Sequence, residues 1–433
     1  MVNLESWKIE LVKSLLKRLH EGADPESIKR EFGDVLAKVS PVEIPLIEQQ
    51  LVQEGVPVRE ILKMCDLHVA LFRDYLVGRE LRGVPEGHPL DLLLRENELI
   101  LRWAEQLGVV ANALVNADGE RVGSLLQELR TLLFNLRTVR THYRKVQMLL
   151  FPYLERRGIV AVPRVMWGRE DQVIMKLRAL LRRVEGELSP EEARAVAREA
   201  VGLANELAEL VFRENKILFP ALWGLLTEGE WAAVAAEAGK IGYLVEVRGA
   251  WEPKAEPVLP YQSKPEVDES SLERLPPEFR AVATGVEPDR YELVREGDLD
   301  VGTGFLSLEE VKGVFRALPV EVTFADANDR VRFYSDGRLP PAFIRTQTIL
   351  GRNLLFCHPP RLERYVKETV EALKKGEADY REFWTRIGDR IVRVFISAVR
   401  DENGKYLGAV EVVEDFTEVL SNPEEVLKKV IVL

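Results

Sequence analysis

Two similar segments, HYRKVQMLLFPYLE at residues 142–155 and FRENKILFPALWG at residues 212–224, decide the fold of the middle third of this chain. Both are apolar at helical spacing and both run through Leu-Phe-Pro, so they are interpreted as two similar helix ends. The segment VMWGREDQ lies between them. Around these motifs the sequence predicts four long helices, at residues 89–114, 122–154, 164–187 and 190–226.

The loops between these four helices are short, which favours antiparallel packing in a bundle. A further helix at residues 228–243 is expected to pack against the bundle. We therefore delimit residues 85–245 as an antiparallel four-helix bundle. A proline-rich linker and an irregular segment are predicted at residues 246–303, because prolines there alternate with charged residues and serine.

Composition excludes several classes of function. The chain has 433 residues and a net charge of -11, which disfavours nucleic acid and an anionic membrane surface as partners. No apolar run approaches the ~20 residues that span a bilayer, and the first residues lack the pattern of a signal peptide. The two cysteines, Cys65 and Cys357, lie far apart and predict no disulfide framework. A cytoplasmic location is expected.

The first 78 residues are predicted to be a small helical module. Asp24-Pro25-Glu26 and the capping-box pair Ser40 and Glu43 each mark the start of a helix. Residues 10–76 resemble the bacterial "domain of unknown function 438" through the stretches LLKRLHEGADPESIKREF, VSPVEIPLIEQQLVQEGVPV and EILKMCDLHVALF. The resemblance implies a module that precedes a hemerythrin-like bundle, and it supplies no chemistry.

The bundle itself resembles the hemerythrin-like (HHE cation-binding) family through GHPLDLLLREN, HYRKVQMLLFPYLE, VPRVMWGREDQ and FRENKILFPAL. The resemblance implies a metal site, for which this sequence offers His88, Asp91, His142 and Glu170. Carboxamides, Gln147 and Asn215, stand where the family usually has glutamate, and a carboxamide is a much weaker ligand than a carboxylate. The chain has five histidines, and only His88 and His142 lie in this region. Two imidazoles are too few for a diiron site. The preferred interpretation is a buried polar network, and the alternative is a residual single-ion site.

From residue 304 the period of the sequence changes. β-rich runs at residues 320–325 and 330–334 precede a helix at 361–375 and three strands at 380–387, 391–399 and 406–414. Asn403-Gly404, a favoured type I′ hairpin turn, is predicted to join the last two strands. This region resembles a PAS subfamily through two stretches, TGFLSLEEVKGVFRALPVEVTFADANDRVRFYSDG and EFWTRIGDRIVRVFISAVRDENGKYLGAVEVVEDFTEV. We assign residues 304–420 to a PAS domain and 421–433 to a C-terminal tail.

The PAS resemblance implies a sensory module that encloses a ligand or dimerises. The predicted ligand-binding residues are mainly aromatic: Phe324, Phe333, Phe356, Cys357, His358 and Trp384. Phe383 and Phe395 are further candidates for the wall of the pocket. Cys357 and His358 could ligate haem or a metal, although neighbouring residues of an extended chain point in opposite directions. A structural role for the Cys-His-Pro-Pro turn at helix entry is the alternative.

These predictions define a multidomain protein, all-α in its N-terminal two-thirds and α+β in its C-terminal PAS domain. No phosphate loop, serine elbow or metalloprotease motif is present in the sequence. We therefore expect a non-enzymatic, cytoplasmic sensory or regulatory protein that acts through a protein partner or as a homo-oligomer through the PAS domain. After residue 420 too few residues remain for an output domain. The alternative function is an iron- or oxygen-binding protein that uses the bundle directly.

Overall fold

The computed structural model describes residues 81–117, 119–266, 286–337 and 341–431, and scattered positions between 14 and 31. The module predicted at residues 1–78 therefore lies almost wholly outside the described residues. The chain divides into two compact units, Met1–Glu292 and Leu293–Leu433. None of the helices in the described ranges combines the length and apolarity needed to cross a bilayer.

The first unit contains the four-helix bundle. Its first helix, α1 (Pro89–Val115), begins where the His88 side chain accepts the Leu90 amide and Pro89 occupies the first turn. The second helix is built from α2 (Gly119–Leu136), α3 (Val139–Lys145) and α4 (Phe151–Arg156). The third is α5 (Ala161–Val184), and the fourth comprises α6 (Pro190–Arg213) and α7 (Phe219–Leu225). A further helix, α8 (Glu228–Ile241), packs against α1 and α3.

Each Leu-Phe-Pro motif begins at the last residue of one π-helical turn, at Val146–Leu150 in the second helix and Glu214–Leu218 in the fourth. Phe151 and Phe219 donate their amides to the carbonyls five residues earlier, those of Val146 and Glu214. Proline has no amide hydrogen and its ring collides with the carbonyl four residues earlier in a regular helix. The wider π turn is consistent with that constraint, and π turns are frequent at functional sites.

The apolar faces of these helices form one continuous core. Leu93, Ile100 and Leu107 of α1 are almost fully buried against residues such as Leu203 and Leu207 of α6. Ser189 and Thr227 start α6 and α8 with complete capping boxes, in which each side chain binds a glutamate three residues later. The bundle prediction is thus confirmed, with helix bounds within a few residues of those expected.

The segment at residues 242–266, here called the strap, lies on the bundle. The Val258 amide donates to the Gly229 carbonyl at 2.9 Å, and the Tyr153 hydroxyl donates to the Val258 carbonyl at 2.8 Å. Residues 286–291 also lie on the bundle, because the Asp289 amide donates to the Arg156 carbonyl at 3.1 Å. Of the segment predicted as a linker, residues 246–303, the described residues 246–266 and 286–291 therefore belong to the first unit and lie on the bundle.

The second unit is an antiparallel sheet with helices. A short pair of strands, β1 (Leu299–Asp300) and β2 (Phe305–Leu306), precedes α9 (Leu308–Ala317). The main sheet has the order β4 (Val331–Tyr334), β3 (Glu321–Asp326), β7 (Tyr406–Asp415), β6 (Arg390–Arg400) and β5 (Tyr380–Ile387). Between β4 and β5 come three short 3₁₀ turns, Gln347–Ile349, Leu354–Cys357 and Pro360–Leu362, and α10 (Glu363–Lys375). Two short helices, α11 (Thr417–Ser421) and α12 (Pro423–Lys428), follow.

One face of this sheet is covered, and the opposite face is exposed along β5. Val392, Val394 and Val413 point into the covered face, whereas Tyr380 and Trp384 of β5 lie on the opposite face beside Phe395 of β6. The turn between β6 and β7 is not type I′, because only Gly404 and not Asn403 has a positive φ. All five predicted strands are present, and the predicted fold class is confirmed.

Candidate functional site

A cluster of charged side chains fills the centre of the bundle, around His142 of α3. The Nδ1 atom of His142 lies 2.7 Å from Glu96 Oε2, and its Nε2 atom lies 2.9 Å from Glu214 Oε2. All three side chains are fully buried. Glu96 comes from α1 and Glu214 from the π turn of the fourth helix, so His142 joins three of the four helices.

Lys145, one turn after His142, supplies a second cation to this centre. Its Nζ atom donates to Glu96 Oε1 at 2.6 Å and to the Gly242 carbonyl at 2.6 Å. The same Glu96 oxygen accepts the Leu244 amide at 2.9 Å. Lys145 is only 2% exposed, so its charge is neutralised by Glu96 rather than by solvent.

Carboxamides complete the network. Gln147 Nε2 donates to Glu170 Oε2 at 2.6 Å, and Asn97 Nδ2 donates both to Glu214 Oε2 at 2.8 Å and to Asn215 Oδ1 at 2.9 Å. Four buried atoms of this centre have no hydrogen-bond partner among the described residues: Glu170 Oε1, Glu214 Oε1, Asn97 Oδ1 and Tyr143 Oη. Gln147 and Asn215 thus serve as hydrogen-bonding groups in the bundle centre.

The surroundings set the protonation of these groups. Burial alone would lower the pKa of His142, but Glu214 and Glu96 outweigh it and raise this pKa to about 9. Burial and the nearby Glu214 raise the pKa of Glu170 to about 8, so Glu170 carries a proton at neutral pH. Two cations, His142 and Lys145, then face two carboxylates, Glu96 and Glu214. The centre is electrically balanced by the protein itself.

Two of the predicted metal ligands, His88 and Asp91, are engaged elsewhere. The His88 imidazole is enclosed by Trp223, Trp231 and Trp251, with ring centroids 5.2, 4.8 and 4.4 Å away. Burial lowers the pKa of His88 to about 4, so the ring is neutral. The Asp91 carboxylate accepts the Gly87 amide at 3.0 Å. The structure therefore does not assemble His88, Asp91, His142 and Glu170 into one site, because the first two stabilise the start of α1.

The hemerythrin resemblance implies a metal, and the donor set of the bundle centre does not fit a diiron group. Such a group needs about seven inward-facing ligands, chiefly carboxylates and imidazoles. Here both ring nitrogens of His142 bind carboxylates, Lys145 already neutralises Glu96, and Gln147 is a carboxamide. Within the described ranges, no set of three or more histidine, cysteine, aspartate or glutamate side chains is arranged to hold a metal ion.

The sequence interpretation missed Glu96, Asn97, Lys145 and Glu214. A repeat could have revealed three of them, because the tripeptide Arg-Glu-Asn occurs at residues 95–97 and again at 213–215. The two copies contribute Glu96 and Asn97 from α1 and Glu214 and Asn215 from the fourth helix. Lys145 carries no comparable sequence signal.

The second unit has a cavity of about 220 Å³ on the covered side of its sheet. Its wall includes Glu321, Phe343, Arg345, Arg390 and Val413. The Arg345 guanidinium bridges Glu321 and Glu411, and its Nη2 atom lies 2.8 Å from Glu411 Oε1. A small polar molecule would therefore meet both charged and apolar groups in this cavity.

None of the six predicted ligand-binding residues lines this cavity. Phe324 and Phe333 pair across β3 and β4, and Phe333 packs on Phe315 of α9. Phe356 is 65% exposed and Trp384 is 51% exposed. The aromatic residues were predicted as pocket walls because the PAS resemblance implies an enclosed ligand, and the resemblance does not show which face of the sheet each side chain occupies.

Cys357 and His358 bind the backbone of their own turn. Cys357 Sγ lies 3.6 Å from the Asn353 carbonyl, and His358 Nδ1 lies 2.9 Å from the Leu354 carbonyl. Burial raises the pKa of the Cys357 thiol, which disfavours the thiolate that a metal requires. This geometry matches the structural alternative for the Cys-His-Pro-Pro turn.

Three family models match the chain in the order of its regions. A family of unknown function (DUF438) matches residues 12–77, the hemerythrin HHE cation binding domain matches residues 88–222, and a PAS domain matches residues 311–417. The chain combines these three modules. The bundle of the first unit is accordingly the hemerythrin-like domain, and the sheet of the second unit is the PAS domain.

Solved structures resemble part of the chain. A C-terminal domain from Streptococcus mutans is 34% identical, with 30% of this chain and 98% of that chain covered and a TM-score of 0.27. A PAS domain from Colwellia psychrerythraea is 14% identical over 26% of this chain and 98% of its own, with a TM-score of 0.22. A sensory box sensor histidine kinase from Vibrio cholerae is 12% identical, with 25% of this chain and 90% of that chain covered and a TM-score of 0.20. A comparison with curated proteins gave no match.

Proposed function

We propose that this protein is a non-enzymatic sensory or regulatory protein of the cytoplasm. Its PAS domain detects the signal and associates with a protein, and its hemerythrin-like bundle is a scaffold. The observation that carries the proposal is an aromatic patch on the open face of the PAS sheet. We call it the outer patch, and it comprises Tyr380, Trp384, Phe395 and Phe416.

The outer patch has the composition of a protein interface. Tyr380 stacks on Phe395 with ring centroids 5.1 Å apart, and Trp384 lies 5.1 Å from Phe416. The Arg393 guanidinium lies over both Phe395 and Phe416. Tyrosine, tryptophan and arginine are the residues most enriched in interface hot spots. Tyr380 and Trp384 are nevertheless 56% and 51% exposed, so their apolar surface is available to a partner.

The exposed edge of the sheet strengthens this argument. Strand β5 is hydrogen-bonded to β6 on one side and is the last strand of the sheet, and its residues from Tyr380 to Arg386 are all exposed. An edge strand presents unpaired amides and carbonyls that another chain can bind. We assign the outer patch and β5 to self-association of two PAS domains.

The cavity beside Arg345 supports the sensory part of the proposal. A volume of about 220 Å³ suits a small molecule. On the polar side of this cavity, Arg345 binds Glu321 of β3 and Glu411 of β7, so one guanidinium contacts both neighbouring strands. A ligand that competes for Arg345 would change contacts on strands whose other face adjoins the outer patch. The signal is therefore expected to be a small molecule with an anionic or hydrogen-bonding group.

Sedimentation equilibrium of the full chain tests the proposal. We expect a concentration-dependent dimer for the wild type, and weaker association by about tenfold or more for Trp384→Ala and Tyr380→Ala. Phe356→Ala is the matched control, because Phe356 is an aromatic residue that is even more exposed than Trp384 and Tyr380 but lies outside the outer patch. A wild type that stays monomeric, or patch variants that associate like the wild type, would overturn the proposal.

The rival function is iron or oxygen binding in the bundle. The observation in its favour is that Glu170 Oε1 and Glu214 Oε1 are buried and have no hydrogen-bond partner in the part of the chain that the structure describes. Lys145 argues against it, because an ammonium in the same centre would be repelled by an added dication. We therefore prefer the scaffold role.

A further inference from the structure

The strap begins at the polar centre of the bundle. Its first residue, Gly242, ends α8 with a φ of 96°, a conformation that favours glycine, and its carbonyl accepts Lys145 Nζ at 2.6 Å. The next residue, Tyr243, places its ring 5.0 Å from the same Nζ atom. The Leu244 amide then donates to Glu96 Oε1 at 2.9 Å.

We infer that Lys145 is the resident cation of the bundle centre and that it holds the start of the strap on the bundle. In this chain a side chain supplies the positive charge that a metal supplies in a cation-binding bundle. The inference rests on the scaffold part of the proposed function. Its test is separate from the association test, which concerns only the PAS domain.

The contacts of Lys145 are suited to this role. One ammonium binds Glu96 of α1 and the carbonyl of Gly242 together, so it connects a bundle helix to the strap. Glu96 in turn binds Lys145, His142 and the Leu244 amide. Removing the ammonium would leave this buried carboxylate with one cation instead of two. Charge-assisted hydrogen bonds of this kind are roughly twice as strong as neutral ones.

The rest of the strap has anchors that do not involve Lys145. The Val258 amide binds the Gly229 carbonyl, and the Ser263 hydroxyl binds Glu230. Glu230 belongs to α8 and is held by Arg157 of the second helix. Loss of Lys145 is therefore expected to release the first residues of the strap and to leave the region of Val258 in place. That difference provides an internal control.

Hydrogen–deuterium exchange of the full chain tests the inference. Lys145→Met should accelerate exchange at the Leu244 amide by about tenfold or more, because its acceptor Glu96 loses its nearest cation. Exchange at the Val258 amide and in α6 should stay as in the wild type. Lys240→Met is the matched control, because Lys240 belongs to α8 and pairs with Glu237 at the surface. It should leave exchange at Leu244 unchanged.

Two further variants separate charge from folding. Lys145→Arg keeps the positive charge and should keep most of the protection at Leu244. Glu96→Gln with Lys145→Met removes both charges and should recover the helical content if Lys145→Met alone loses it. The inference is wrong if the Leu244 amide of Lys145→Met exchanges at the wild-type rate. Equal loss of protection in Lys240→Met, or stoichiometric divalent metal in the wild-type bundle, would also overturn it.

Discussion

The guanidinium of Arg157 donates to both carboxylate oxygens of Glu230, at 2.8 and 2.9 Å, and neither side chain is more than 5% exposed. Glu230 also accepts the Thr227 amide and the Ser263 hydroxyl, so it fixes the start of α8 and the strap together. Replacing Glu230 by glutamine leaves the Arg157 cation buried without a counter-charge. We expect Glu230→Gln to lower the free energy of unfolding by about 3–5 kcal/mol, measured by urea with tryptophan fluorescence.

Glu237→Gln is the control for this prediction. Glu237 lies on the same helix and pairs with Lys240, but both side chains are largely exposed. Exposed ion pairs contribute about 0–1 kcal/mol, so the free energy of unfolding of the control should be close to that of the wild type. A Glu230→Gln variant as stable as Glu237→Gln would show that the buried pair does not hold α8.

Much of the fold could be predicted because its determinants are local. Helical spacing and capping residues such as Ser189 mark the bundle helices, and alternation marks the strands. The two Leu-Phe-Pro motifs indicate matching helix ends. The π turns before Phe151 and Phe219 were not predicted, since apolar spacing does not show how a helix accommodates the following proline.

The site could be predicted only in part, because burial and pairing are tertiary properties. The spacing to proline indicated Gln147 and Asn215 as carboxamides that hydrogen-bond in place of family glutamates, and both form hydrogen bonds in the bundle centre. Lys145 was missed because a lysine on a helix is usually solvated, and only the packed bundle shows that it faces Glu96. His88 was assigned to a metal site, yet three tryptophans from distant parts of the chain enclose it.

The enclosed His88 makes stability depend on pH. Its pKa in the folded chain, about 4, lies below the ordinary value of 6.5, so between these values the unfolded chain binds more protons. The contribution of neutral His88 is therefore complete above pH 6.5 and is lost as the pH falls towards 4. The loss attributable to His88 between pH 7 and pH 4 is on the order of 3 kcal/mol. The raised pKa of Glu170 stabilises the folded chain in the opposite direction over this range, so the His88 contribution is measured as the difference between the wild type and a variant without His88, by urea unfolding at both pH values.

His88→Asn isolates this contribution. Asparagine can accept the Leu90 amide as the cap of α1 but does not titrate. The variant should be less stable than the wild type at pH 7, because it loses the contacts with the tryptophan rings. Relative to the wild type, it should gain on the order of 3 kcal/mol between pH 7 and pH 4, because it lacks the group whose protonation destabilises the wild type. An unchanged pH dependence would mean that another group is responsible.

The charge balance of the bundle centre predicts a low metal content. Protein purified from cells grown with added iron should contain well below one iron per chain, because Lys145 and His142 already neutralise Glu96 and Glu214. Elemental analysis by plasma emission spectrometry measures this, and the absorption spectrum should lack an oxo-bridge band. About two irons per chain would contradict the scaffold role and support the rival function.

Gly408 of β7 is expected to be essential for the pairing of β7 with β3. A Cβ atom at this position would lie 2.1 Å from the Ala325 carbonyl oxygen and 2.8 Å from the Phe324 ring. Gly408→Ala must therefore move β7 away from β3. Hydrogen exchange should show that the free energy of opening of these two strands is lowered by about 1–3 kcal/mol. Gly313→Ala in α9 is the control, because its Cβ would meet nothing within 4 Å and alanine favours the helix by roughly 0.5–1 kcal/mol. Equal exchange of β3 in both variants would contradict the predicted contact.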